Sequence, residues 1–392
     1  MNFVPLPDLA KAPTALSRLV TAQWEFAADL YAAAIPRGTN AVVSPVSVAI
    51  ALQMALQGAR GATAEQLRTA LHLTDDEDAA AGMEELAAAV DGLEREEQAL
   101  LRMSNSVWVQ DRFPLHSAFA GAVEHSFLAE LRRVNFANPE DARTAINSAV
   151  SQLTSGKILD LLPVASVRSD TRVVLINAIY LQARWVAQFP KDATDTAPFT
   201  LSNGEQVCVT TMHQTAQLGY ARGTGYQAVM LPYVGGRLAM TILLPDGSLD
   251  ALEDQLGAVG LAALLRPMSP ARVALALPRF QFTTRLRLET PLQRLGVTLA
   301  FSDLADFTGI TSVEPLKIGF VFHQAHIRVD EEGTEAAAAT AVGVVGISAP
   351  SFRDPVVVEV DRPFLVTITD VVSGAPLFIA RVTEPAATTA AL

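Results

Sequence analysis

The chain has 392 residues, 50% of them hydrophobic, with 41 acidic against 29 basic side chains and a net charge of -12. The acidic balance disfavours nucleic acid or an anionic membrane as partner. The single cysteine, Cys208, excludes an internal disulfide framework and a cysteine-cluster metal site, and no apolar run approaches the roughly 18 residues of a membrane span.

Met1-Asn2-Phe3-Val4 opens on no basic segment followed by an apolar run, so no secretory signal is expected as written and the cytoplasm is one expected compartment. Over 16–34, Leu19, Trp24, Phe26, Ala27, Leu30 and Tyr31 recur at helical spacing. A second helix follows: Ser44 caps it, Pro45 takes its first position and Gly58 ends it. Its residues, Val46 to Leu56, are apolar nearly all round, which predicts burial. Thr63 and Gln66 have capping-box spacing for a third helix. Acidic, alanine-rich sequence over 75–97 reads as an exposed helix, 101–110 as a strand carrying Asn105 and Trp108, and 114–131 as another helix. Asn138-Pro139 starts a helix that carries Ile146 and Val150.

Residues 171–182 are almost continuously apolar and β-rich, the pattern of a strand covered on both faces. Strand patterns continue to about 246 and include Met230-Leu231-Pro232-Tyr233. A helix is expected over 249–265, a strand over 273–282 with Leu277-Pro278-Arg279-Phe280, and a short helix over 290–295. Two buried strands, over 361–368 and 377–382, are joined by a Ser373-Gly374 turn. No linker or internal repeat interrupts this order, so a single domain over 1–392 is expected.

Catalytic motifs are missing. Gly346-Ile347-Ser348 is half of a nucleophile elbow without its second glycine. His323 and His326, three apart, are a weak metal signal, and no Walker or dinucleotide glycine pattern occurs. The chain is therefore not expected to be an enzyme or to hold a cofactor or metal. Ser44, Ser47, Asn177 and His323 sit in apolar context, where an unpaired polar group costs on the order of 1 to 3 kcal/mol. They are expected to pair with one another, or to be satisfied separately.

The least ordinary stretch is Glu331-Glu332-Gly333-Thr334-Glu335-Ala336-Ala337-Ala338-Ala339-Thr340, running on through Val342 and Val344 to Ile347. As a strand it would put Thr334, Ala336, Ala338, Thr340, Val342 and Val344 on one face. No proline blocks a ladder on either side, yet alanine favours strands poorly. Such a segment can enter a sheet without insisting on it; read alone, it is equally a small-residue linker or an alanine-rich helix capped by Thr334.

This stretch resembles the hinge of the reactive-centre loop of the serpin family, in its bacterial type. Asn40-x-x-x-Ser44-Pro45-x-Ser47 with Gly58 to Leu67 is similar to the family's N-terminal signature, and Trp185, Phe189-Pro190 and Phe301 to Ile310 recur at its spacing. The likeness runs over 14–385. It departs where serpins carry Trp (Ala149) and Gly (Ala380). The resemblance implies an α+β serpin fold: a large central mixed β-sheet, two further sheets, about nine helices and an exposed loop over about 331–353.

It also implies a monomeric suicide-substrate inhibitor of a serine protease, in an extracellular setting by family habit. Glu331, Gly333, Thr334, Glu335, Ala336, Ala337, Ala338, Ala339 and Thr340 would form the hinge. Ser44, Ser47, Asn177 and His323 would form the shutter beneath the parting sheet, and Trp185, Arg279 and Glu331 the breach at its top. Counting 14 residues from Gly333 puts the attacked bond at Ile347-Ser348, which suits an elastase-like or subtilisin-like protease; counting back from Pro363-Phe364 points to Phe352-Arg353 and a chymotrypsin-like one. The hinge count is preferred, because insertion fixes the length of the arm. A non-inhibitory carrier or chaperone is the alternative, against which the small residues after Gly333 argue.

Overall fold

The computed structural model describes residues 14–74, 80–86, 99–127, 129–265, 268–334 and 354–386, without the side chains of 99–104, 177–178 and 256–259. The helices are α1 (Ala15–Ala34), α2 (Pro45–Gly58), α3 (Gly61–Ala70), α4 (80–86), α5 (Ser117–Ser126), α6 (Pro139–Leu153), α7 (Leu249–Val259), α8 (Leu261–Leu265) and α9 (Glu289–Arg294). The Ser44 side chain accepts the Ser47 N–H at the start of α2, and Pro45 opens that helix where no N–H is needed. Twelve of the 14 residues of α2 are buried, as its all-round apolar sequence requires.

Six strands make the central sheet: β10 (Phe280–Arg287), β11 (Phe322–Val329), β12 (Gly333–Thr334), β4 (Val173–Arg184), β2 (Ala99–Gln110) and β3 (Glu130–Val134), in that spatial order. Only β2 and β3 pair in parallel, so the sheet is mixed. The two further sheets are fused through one long strand, β6 (Gln206–Gly223). It pairs with β5 (Asp195–Thr200) through its first residues, with β9 (Ser269–Pro278) along its middle and with β7 (Tyr226–Pro232) through its last. Beyond β7 lie β8 (Leu238–Pro245), β14 (Phe364–Asp370), β15 (Pro376–Val382) and β1 (Ala41–Val43), and β13 (Val356–Glu359) closes the other edge against β9. The main apolar core lies between the sheets, with α2 packed on both β4 and β15.

Several sequence expectations are corrected. Helix 114–131 stops at Ser126, and Glu130–Val134 turns into an edge strand beside Ser106–Gln110. Gly260, at φ +80°, divides 249–265 into two helices. The strand over 273–282 breaks at Arg279, so β9 and β10 belong to different sheets. Thr63 and Gln66 form no capping box: Thr63 Oγ1 accepts the Asp306 N–H, and Gln66 Oε1 accepts those of Thr298 and Leu299. Both side chains fix a distant loop, which a local pattern cannot show. Of the helix expected over 75–97, only 80–86 lies among the described residues.

At Ala149, Trp108, Phe136, Ile146, Val150 and Leu162 build a separate small core under α6. Asn147 clasps the strand-side loop, its amide donating to the Leu162 carbonyl at 2.9 Å and accepting the Leu162 N–H at 2.8 Å. Replacing Asn147 with Ala leaves the buried Leu162 N–H unpaired, while the Leu162 carbonyl keeps the Arg143 guanidinium at 3.2 Å. Urea unfolding should show a loss of about 1 to 3 kcal/mol.

Candidate functional site

The parting line of the central sheet runs between β4 and β11. These strands run in the same direction, and among the described residues no direct pairing joins them: β12 alone stands between, antiparallel to both, with Thr334 level with Val329 on one side and Ala183 on the other. At its lower end the line opens on a cavity of about 920 Å³ lined by Val173 and Ile176, Phe322 and His323, and Ser47 and Val48 of α2.

At the upper end the chain leaves β11, turns through Asp330, Glu331 and Glu332, and enters β12. Asp330 Oδ1 accepts the N–H groups of Glu332 and Gly333 at 3.0 and 3.3 Å, which closes the turn. Gly333 is required by close approach, since a Cβ there would lie 2.0 Å from the Ala183 carbonyl oxygen. Trp185 ties the turn down twice: its indole N–H donates to the Asp330 carbonyl and its backbone N–H to that of Glu332, both at 2.9 Å.

Glu331 lies under this turn, 3% exposed. Its Oε1 accepts from Arg279 Nε at 2.8 Å, from Arg279 Nη2, and from the Thr194 hydroxyl at 2.6 Å. Burial works against the charge, but the hydrogen bonds from Arg279 and Thr194 outweigh it and hold the carboxyl below its usual range. Lys191 also reaches Glu332 at 2.5 Å, yet its side chain is mostly exposed, so that pair contributes little. Beside them the Tyr233 ring stacks on Trp185, with centroids 4.5 Å apart, and its hydroxyl lies 2.6 Å from Thr334 Oγ1.

Lower down, His323 projects from β11 to the start of α2, where its Nε2 accepts the Ser44 N–H at 3.1 Å. Accepting at Nε2 assigns the ring proton to Nδ1. With no charged partner to offset it, burial lowers the imidazole pKa to about 4. Ser44 in turn accepts the Ser47 backbone N–H on its hydroxyl at 3.4 Å, which links Ser47, Ser44 and His323 in a row. Asn177 sits on β4 opposite Asn105, but its side chain lies outside the described residues. His326, three residues from His323, points to the other face and bonds the Thr283 hydroxyl at 2.7 Å, so the two histidines do not converge.

Trp185, Arg279, Glu331, Gly333 and Thr334 come together at the upper end. Glu335, Ala336, Ala337, Ala338, Ala339, Thr340, Ile347, Ser348, Phe352 and Arg353 lie outside the described residues. Sequence reasoning missed Thr194, Tyr233 and Asp330. Leu231-Pro232-Tyr233, a polar-tipped aromatic closing an apolar run, was a weak signal for the second; Thr194, in a short polar turn, gave none.

Two outcomes follow from these contacts. Glu331→Ala leaves Arg279 and Thr194 without their acceptor; it should lower stability by about 1 to 3 kcal/mol and raise spontaneous polymerisation on native gels. His323 titrates near pH 4 folded and near 6.5 unfolded, so the stability it supplies as a neutral ring is present above pH 6.5 and lost as pH falls toward about 4. The depressed Glu331 carboxyl supplies stability that is lost only below its unfolded value of 4.5. Unfolding midpoints measured between pH 6.5 and 4.5 should thus fall for the wild type and fall less for His323→Gln.

A family model described as Serpin (serine protease inhibitor) matches residues 21–385. An uncharacterised serpin-like protein of Thermococcus kodakarensis is 37% identical over 370 residues, which is 94% of this chain and 86% of its own. The leukocyte elastase inhibitor of Bos taurus is 36% identical over 384 residues, 94% of this chain and 100% of its own. Among solved structures, cleaved Serpin 42Da superimposes with a TM-score of 0.82 at 30% identity, covering 94% of this chain and 98% of that one. Tengpin, a thermophilic serpin in its native state, gives 0.82 at 26% identity, with 93% and 94% covered. With the family model spanning 21–385 and relatives of 36 and 37% identity over 94% of its length, this chain is a member of the serpin family with the serpin fold.

Proposed function

We propose that residues 1–392 form a single serpin domain that inhibits a serine protease as a monomeric suicide substrate, with 331–353 as its reactive-centre loop. The protease serine attacks the Ile347 carbonyl, the bond to Ser348 breaks with the amine leaving protonated, and an ester joins Ile347 to the protease. The freed arm then enters the parting line as a new strand and carries the protease away from the loop; serpin loop insertion is a known instance of strand addition.

The observation that carries this reading is the seating of Gly333 and Thr334 between β4 and β11, paired to both. Continued along β4, the same register brings Val344 level with Val173, so the strand has room for the eleven residues from Thr334 to Val344. At roughly 3.3 Å per residue they span about 35 Å. Thr340 would arrive level with both Asn177 and His323, which gives the Ser44, Ser47, Asn177 and His323 group its role as a shutter that must part and re-form. New ladder bonds on two edges, at about 1 kcal/mol net each, amount to a driving force on the order of 10 kcal/mol.

Ile347 suits the aliphatic pocket of an elastase-like or subtilisin-like enzyme, in keeping with relatives named leukocyte elastase inhibitor. In this reading the chain presents a bond to a catalyst and is not one itself.

The test is incubation with elastase, subtilisin and chymotrypsin. An SDS-stable complex and a released peptide beginning at Ser348 are expected, and cleaved protein should melt higher by on the order of 20 °C. A peptide beginning at Arg353 would move the bond to Phe352 and the target to the chymotrypsin class. Thr334→Arg should be cut at the same bond without trapping the protease; stable complexes from that variant would refute insertion from Thr334.

A further inference from the structure

Tyr233 is held more firmly than a core tyrosine needs to be. It is 0% exposed, stacked on Trp185 at 14° between ring planes, and fixed through the backbone, since its N–H donates to Leu238, Val234 N–H to Arg184 and Val186 N–H to Pro232. The ring thus stands as a post from the second sheet array against the end of β4. Its hydroxyl meets the first side chain of the arm, Thr334, itself 2% exposed. Burial pushes the phenol far above its usual value, so it stays protonated, and either hydroxyl of the pair can donate to the other.

We propose that Tyr233 is the positioning residue for strand insertion: its hydroxyl bonds that of Thr334 and keeps Gly333 and Thr334 seated between β4 and β11 before the loop is cut. This deepens, and rests on, the suicide-substrate reading above. Starting a strand means fixing backbone dihedrals before the ladder bonds that reward it exist. A seated pair has already passed that stage, so insertion proceeds by adding residues to an existing strand. Speed matters because insertion competes with hydrolysis of the acyl-enzyme, and the loser of that race decides whether the chain ends as inhibitor or as spent substrate. The arrangement is selective for a hydroxyl: Val matches Thr in shape but would bury the phenol against a methyl group, and Gly333 leaves no side chain to share the anchoring.

The test uses the full chain with Tyr233→Phe, Thr334→Val, Thr334→Ser and the Phe/Val double variant. Amide exchange read by mass spectrometry on the intact proteins should show the 333–334 amides losing protection by about fivefold in Tyr233→Phe and Thr334→Val, the factor one net hydrogen bond carries. Thr334→Ser should retain it. Titration against subtilisin should require more inhibitor per protease by a similar factor in the first two variants, near wild type in Thr334→Ser, and no more in the double variant than in either single one. A merely structural role would lower the unfolding midpoint of Tyr233→Phe and leave its titration at the wild-type value. Wild-type titration in Tyr233→Phe, or additivity in the double variant, overturns the proposal. If the wild type traps no protease, the suicide-substrate reading fails, and the exchange comparison still decides whether the hydroxyl pair seats the arm.

Discussion

Two strands that run the same way without pairing leave their facing N–H and C=O groups to a third chain, and in this molecule β4 and β11 are such a pair. Among the described residues they share only Gly333 and Thr334. The rest of the architecture bears on that line. The helix α2 forms its floor, the Trp185 turn closes its top, and the second sheet array supplies Arg279 and Tyr233 as fixed partners for the chain that enters it. A backbone edge inside a protein requires a partner, and among the described residues β12 is the strand that supplies one to both β4 and β11.

The two ends of the line are held by different chemistry. At the top a carboxylate kept charged by Arg279 and Thr194 anchors the turn, and it depends on charge. At the bottom a neutral imidazole accepts from the start of α2, and it depends on the absence of charge. A histidine without a carboxylate beside it is easily lost to acid. The lower hold therefore weakens at a pH that leaves the upper one intact.

Much of this was legible in local sequence. Ser44-Pro45 and Gly58 bound α2 because cap, proline and glycine each act within one turn. The apolar run before Arg184 declared a central strand because both its faces are covered. Failures arose where a residue serves a distant partner. Thr63 and Gln66 have capping-box spacing but spend their side chains on residues 298, 299 and 306. The β9–β10 run looked like one strand because periodicity does not register a change of sheet. Family resemblance brought Glu331 to Arg279, which no periodicity would have paired, whereas Thr194 and Tyr233 become visible only when three separate segments close on one point.

Arg279 occupies the single residue between β9 and β10, where the backbone steps from the fused array to the central sheet. The same residue that turns this corner therefore grips the Glu331 carboxylate, so the step between the two sheets and the start of β12 are joined through one side chain.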